Sequence, residues 1–186
     1  MPLLVFPVDL AAHPSFSDTF GAPRPPGRTH EGTDVFAPEG TKVFAVDVGR
    51  VEFHPDEGIG GNVAYLHSSD RTRYVYSHLS AFEGESRRVQ AGDLIGYVGH
   101  TGNAASTPPH VHFEVHPLEG GPVNPFDSLK AARDQAHPEA PPAPAPEPAT
   151  PLAASAAALS LDGDGIVIAV LLYLGFRELG RRRRAN

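Results

Sequence analysis

The sequence predicts an all-β domain followed by a linker and an apolar tail, on three observations. Short segments with period-two apolar spacing recur through the first two thirds of the chain. Glycines punctuate them, from Gly32, Gly40 and Gly49 to Gly92, Gly96, Gly99 and Gly102, as tight corners between strands require. No segment before residue 128 carries a long 3.6-residue apolar period.

Residues 43–51 read as the first strong strand. Residues 62–67 and 72–77 read as two more, and the turn Ser68-Ser69-Asp70-Arg71 between them makes 62–77 an expected hairpin. Residues 95–98 follow. The last strand is His110-Val111-His112-Phe113-Glu114-Val115. Residues two apart in a strand point the same way, so Val111, Phe113 and Val115 form its apolar face. His110, His112 and Glu114 project from the other. Upstream, His30 and Asp34 lie four apart and share a face in a strand. Pro25-Pro26-Gly27-Arg28 before them and Val35-Phe36-Ala37-Pro38 after favour a loop running into a short strand.

These residue types suit a metal. His30, Asp34 and His112 supply two imidazoles and a carboxylate, a set that suits zinc and leaves one coordination position free, as catalytic zinc sites do. His110 and His78, the latter in Tyr76-Ser77-His78-Leu79-Ser80, remain as acid/base groups. His13, His54, His67, His100, His116 and His137 fit no such pattern and read as surface or packing residues, since a ligand needs convergent partners. Gly58-Ile59-Gly60-Gly61-Asn62 lacks the following Lys-Ser/Thr of a phosphate loop and reads as a turn.

At these motifs the chain resembles the lysostaphin/LytM-type zinc endopeptidases, which cut the peptide part of bacterial peptidoglycan. The matching segments are residues 28–35, 37–43, 61–63, 76–80, 92–96, 99–103 and 109–115, in the family's order, within residues 16–126. The resemblance implies an antiparallel β-sandwich or barrel-like catalytic domain, the duplicated hybrid motif, with zinc in a groove across one sheet. It implies that His30, Asp34 and His112 are zinc ligands and that His78 and His110 are the catalytic histidines. Tyr76 and Asn62 are the candidate substrate-binding residues.

Composition agrees with a cell-envelope enzyme. Cysteine is absent, which excludes a disulfide framework and a thiolate metal site. The formal net charge is −7, and residues 1–128 carry 16 acidic against 8 basic side chains. That balance argues against nucleic acid as the main partner. The expected divisions are a catalytic domain at 1–130, a linker at 131–158 and an apolar helix with an Arg-rich end at 159–186. The linker is rich in proline and alanine and has no means of burying a core. Residues 166–176 are apolar without interruption, and residues 159–179 approach the roughly 20 residues of a membrane span. The terminal Arg181-Arg182-Arg183-Arg184 would then lie on the cytoplasmic side. The expected location is extracytoplasmic with a candidate membrane anchor, although Met1-Pro2-Leu3-Leu4-Val5-Phe6-Pro7 has no recognisable signal-peptide pattern.

Such a zinc ion makes a water nucleophilic near neutral pH and polarises the scissile carbonyl. No HExxH helix supplies a glutamate base, so the two spare histidines are the candidates, with His110 expected as base. Two other readings stand beside hydrolysis. One is a non-hydrolytic wall-binding or amidase-activating module. The other is a phosphocarrier domain of similar β architecture, like the glucose-specific phosphotransferase component, which needs no aspartate four residues after a histidine.

Overall fold

The computed structural model describes residues 4–118 and 120–136. The chain divides into two units, Met1–Ala143 and Pro144–Asn186, and every described residue belongs to the first. Among the described residues eleven strands form in chain order: β1 (Pro23–Arg24), β2 (Arg28–Thr29), β3 (Thr33–Phe36), β4 (Lys42–Phe44), β5 (Gly49–His54), β6 (Val63–Ser68), β7 (Arg73–Ser77), β8 (Ala81–Phe82), β9 (Arg87–Val89), β10 (Leu94–Tyr97) and β11 (His110–His116). The described residues end in an α-helix, α1 (Phe126–Ala136).

The strands make two main sheets. The six-stranded sheet has the order β3-β11-β7-β6-β5-β9, and the three-stranded sheet β4-β10-β8. β1 and β2 form a separate small ribbon. All pairings are antiparallel. The expected hairpin forms as β6 and β7, with Ala64 opposite Tyr76 and Leu66 opposite Tyr74. A single core unites Val43 and Ile95 of the smaller sheet with Val51, Leu66, Tyr76, Val111 and Phe113 of the larger. Each such buried side chain contributes roughly 1.5–3 kcal/mol. This is the all-β fold that the alternation predicts.

Two expectations change. Residues 43–51 are not one strand: β4 ends at Phe44, β5 starts at Gly49, and they lie in different sheets. The backbone between them is satisfied elsewhere. Ala45 N–H donates to the Asp93 carbonyl at 2.8 Å, and Val46 N–H to the Tyr76 hydroxyl at 2.9 Å. The N-terminal segment is part of the domain. Leu4, Phe6 and Val8 are buried, and Val8 bridges to Val43.

The second change concerns the linker expected from residue 131. Residues 131–136 are instead the last part of α1. Asn124 starts the helix: its side-chain oxygen accepts from Phe126 N–H at 3.0 Å, and Pro125 at the first turn has no amide to leave unpaired. Leu129 and Ala132 face the core, Phe126 meets Phe16 edge-on at 5.7 Å, and Arg133 lies over the Phe16 ring at 4.9 Å. The remaining linker and the apolar segment at 159–179 lie outside the described residues. Among the described residues no helix is long and apolar enough to cross a membrane.

The helix is therefore expected to hold the domain together. Leu129 is 0% exposed. Leu129→Ala should cost about 2–4 kcal/mol in urea unfolding, as a truncation that opens a core cavity does. A loss well under 1 kcal/mol would mean that α1 frays from the domain.

Candidate metal centre

Register builds the centre. β11 lies between β3 and β7, with His112 opposite Asp34 on one side and Ser77 on the other. Val111, Phe113 and Val115 enter the core, as the alternation requires, and leave His110, His112, Glu114 and His116 on the opposite face. Asp34 lies in β3, and His30 lies in the loop just before it. That loop needs Gly32. A Cβ there would sit 2.3 Å from the Phe113 carbonyl oxygen, so any side chain would push β3 off β11.

Three donor atoms meet at one point. His30 Nε2 is 3.0 Å from Asp34 Oδ1 and 2.9 Å from His112 Nδ1, and His112 Nδ1 is 2.9 Å from Asp34 Oδ1. Among the described residues this is the one group of three or more His, Cys, Asp or Glu side chains so arranged. All three are partly or fully buried, with His30 4% and Asp34 13% exposed at the side chain. The set fits an ion that takes nitrogen and oxygen ligands at about 2.0–2.2 Å.

Outer partners fix the ring orientations. His30 Nδ1–H donates to the Thr19 carbonyl at 3.0 Å, which leaves its Nε2 lone pair for the cluster. His112 Nε2–H donates to Glu114 Oε1 at 2.8 Å, which leaves Nδ1 inward. His116 Nε2 donates in turn to Glu114 Oε2 at 2.5 Å. Arg24 Nη2 donates to Asp34 Oδ2 at 2.6 Å, on the oxygen that the cluster does not use. Metal-binding histidines characteristically have such carboxylate or carbonyl partners.

The electrostatics follow from these contacts. Burial raises the Asp34 carboxyl, but hydrogen bonds and positive charge from His112 and His30 outweigh it and hold the carboxyl far below the usual range. Burial lowers His112, but hydrogen bonds to Asp34 and Glu114 outweigh it and push the imidazole up to about 9. Glu114 is pushed up by burial and, more strongly, down by its bonds to His112 and His116. Asp34 and Glu114 thus favour a proton on His112, and a cation binding at Nδ1 would compete with it.

His78 and His110 complete the arrangement. His78 directly follows β7 with φ of 69°, a left-handed conformation costly for a side chain that has a Cβ. Its N–H donates to the Gly60 carbonyl at 2.8 Å. Its Nδ1–H donates to the Thr101 carbonyl at 2.9 Å. His110 Nδ1–H donates to the Pro108 carbonyl at 2.9 Å. A carbonyl oxygen only accepts, so both neutral rings carry the proton on Nδ1 and keep a free lone pair on Nε2. His110 Nε2 lies 3.8 Å from Asp34 Oδ1, and the two rings are 5.0 Å apart between centroids. Burial, followed by the nearby His110 and His112, pushes His78 down to about 4 against the pull of the Thr101 carbonyl and Asp34.

The centre opens into a groove of about 750 Å³. Ile59, which is 57% exposed, and Asn103, Thr107 and Pro108 line it beside the histidines. The Gly58–Gly60 and Gly102–Ala104 turns meet backbone to backbone at its edge. A Cβ on Gly61 would lie 2.4 Å from Gly102 N, and one on Gly102 would lie 2.5 Å from Gly61 N.

Five of the expected site residues therefore converge: His30, Asp34, His112, His78 and His110. Two do not. Tyr76 is 0% exposed, and its hydroxyl accepts from Val46 N–H in the core, so it has no surface to offer a substrate. Asn62 binds two neighbouring loops together. Its Nδ2 donates to the Leu79 carbonyl at 3.0 Å, and its N–H donates to Thr101 Oγ1 at 2.9 Å. Three residues were missed. Arg24 lies one strand before the motif, in a ribbon that Pro25-Pro26-Gly27 could have signalled. Glu114 and His116 share the period-two face of the two motif histidines, which is a signal that was available.

Comparison with known proteins agrees with this geometry. The pattern of peptidase family M23 matches residues 28–125. The chain is 41% identical over 98 residues to the "DD-carboxypeptidase/endopeptidase Mpg" of Neisseria meningitidis, covering 53% of this chain and 22% of that protein. It is 31% identical over 132 residues to the "L-Ala--D-Glu endopeptidase" of Bacillus subtilis, covering 66% of this chain and 40% of that protein. The chain thus spans well under half the length of either relative. The catalytic domain of the antimicrobial peptidase lysostaphin from Staphylococcus simulans superposes with a TM-score of 0.57 at 30% identity. That match covers 63% of this chain and 93% of the other.

Glu114 is expected to act on metal affinity through His112. Glu114→Gln should raise the dissociation constant for zinc about 10- to 100-fold, as loss of a carboxylate behind a ligand histidine does. Competition with a chromophoric chelator measures it, and circular dichroism checks the fold. Unchanged affinity would reduce Glu114 to a packing residue.

Proposed function

The chain belongs to peptidase family M23, and on that premise we propose that it is a zinc-dependent endopeptidase that hydrolyses peptide bonds in the stems or cross-links of bacterial peptidoglycan. The observation that carries the reading is the donor triangle, with all sides at 2.9–3.0 Å, open to a groove beside two histidines with free Nε2 atoms. His30, Asp34 and His112 hold the ion. Zinc bound there supplies a Lewis acid for the scissile carbonyl and makes a water acidic enough to react near neutral pH.

The chain's own groups do the remaining work. His110 Nε2 accepts a proton as general base, being the acid/base atom nearest the ligand carboxylate. His78, held by Thr101 and pushed down to about 4, is neutral at ordinary pH. Its Nε2 lone pair takes the proton that His110 received from the attacking water and passes it to the leaving amine, so the proton lost by the water is the one that the amine gains. The groove walls orient the peptide, with Ile59 offering apolar contact and Asn103 and Thr107 polar contact. A substrate in the cell wall puts the site of action outside the cytoplasm.

A non-hydrolytic binding or activating module is the second reading. It has no observation in its favour, since every ligand and both acid/base histidines converge in one groove.

Metal and catalysis are separable by substitution. About one zinc per chain is expected, measured by plasma mass spectrometry. His30→Ala, Asp34→Ala and His112→Ala should each lose it, because two ligands are too few for a catalytic site. His78→Ala and His110→Ala should keep zinc while release of muropeptides from purified walls falls about 100-fold or more. Parental zinc content in all three ligand variants, or full hydrolysis in both histidine variants, would sink these assignments.

A further inference from the structure

The ribbon beside the metal centre carries two arginines that the reaction leaves unassigned. Arg24 in β1 and Arg28 in β2 are direct cross-strand partners, and both line the groove. Like charges directly opposite each other destabilise a strand pair, so this placement works against the ribbon's own stability. It also runs against the composition, since residues 1–128 hold twice as many acidic as basic side chains, 16 against 8.

Of the two arginines only Arg24 has an acidic partner among the described residues. Asp34 is engaged by His30, His112 and Arg24 together. Arg24 uses one nitrogen on Asp34 Oδ2. Arg28 donates only to the Pro25 carbonyl, at 3.0 Å, and makes no ion pair among the described residues. Glu31 lines the same groove, and no ion pair joins it to either arginine among the described residues. A divalent ion on the triangle would add further positive charge to this wall.

We propose that Arg24 and Arg28 form a carboxylate subsite, so that the preferred substrate carries a free carboxylate within one or two residues of the scissile amide. The inference rests on the endopeptidase reading and narrows it. A guanidinium presents a planar fork that matches a carboxylate in two parallel hydrogen bonds. Arg24 Nη2 lies 2.6 Å from the carboxylate of a ligand residue, so a group held by this fork is close to the reacting centre. A residue spans at most about 3.3–3.6 Å of extended chain, which sets the limit of one or two residues. Direct cross-links between D-amino acids carry such a carboxylate beside the scissile bond. Oligoglycine bridges do not, and they leave Arg28 without an ion-pair partner among the described residues.

The test uses the 186-residue chain loaded with zinc and three soluble substrates. These are a cross-linked peptide dimer with its free carboxylate, the same dimer as the carboxamide, and pentaglycine blocked as its N-acetyl, C-terminal amide so that it carries no carboxylate. Products are quantified by mass. The acid should be cleaved with at least about 10-fold higher kcat/KM than the amide, mostly through KM, as loss of a charge-assisted bidentate contact implies. In Arg28→Gln that preference should fall toward one while zinc content and melting temperature stay as in the parent. Arg28 makes no contact with Asp34, so this variant separates substrate binding from support of the ligand. Equal cleavage of acid and amide, a preference for pentaglycine, or a preference that survives in both Arg24→Gln and Arg28→Gln overturns the subsite. If the zinc-loaded parent cleaves none of the three, the endopeptidase reading falls, and the subsite with it.

Discussion

The pairing of β3 with β11 is the constraint on which the rest depends. It puts Asp34 opposite His112 and leaves His30 to reach in from the preceding loop. A slip of one residue would exchange the two faces of β11, burying His110 and His112 and exposing Val111 and Phe113. The register is held on three sides. Val35, Val111, Phe113 and Val115 commit the inner face to the core. β7 pins β11 from the other edge. Gly32 allows the close approach at Phe113 that no other residue permits. Polar groups clustered at low exposure are costly unless each is paired. Here Thr19, Glu114, Arg24 and the loop carbonyls of Thr101 and Pro108 supply the partners.

Much of this is legible in the sequence because it rests on short-range periodicity. The alternation at 110–115 gives both faces of β11 correctly, whereas His30 lies in the loop before β3 and reaches Asp34 through that loop rather than through a shared strand face. The hairpin of β6 and β7 follows from two β-rich runs and a polar turn. What is not legible depends on tertiary partners. Residues 43–51 look continuous because Val43, Phe44, Val46 and Val51 all favour strands. The break appears only when Tyr76 and Asp93 take the backbone of Val46 and Ala45. The same fact explains Tyr76: beside His78 in sequence, it points through the sheet rather than along it.

α1 is a subtler case. Its buried positions are Leu129 and Ala132, too few to give a clear helical period among charged neighbours. The informative signal is the Asn124-Pro125 start, a capping side chain followed by a residue suited to the first turn. Glu114 and His116 hold a similar lesson. The sequence places Glu114 on the polar face of β11 without giving it a role, whereas that face continues beyond the ligand His112 to a carboxylate and a further imidazole that steady it. His78 is legible as a candidate, but its direction is not, since nothing in its neighbours requires φ of 69°. That conformation is imposed by the loops at Gly60, Asn62 and Thr101, and it turns an imidazole into the groove at the end of a strand.

The central claim is that His30 Nε2, Asp34 Oδ1 and His112 Nδ1 bind one zinc ion. Crystals of the zinc-loaded protein, with data collected on both sides of the zinc absorption edge, test it most directly. The account predicts one strong anomalous peak per chain, within about 2.0–2.2 Å of those three atoms and with a further position open to the groove. A peak at the exposed His54 or His67 instead, or none at the triangle while zinc is bound elsewhere, would contradict it.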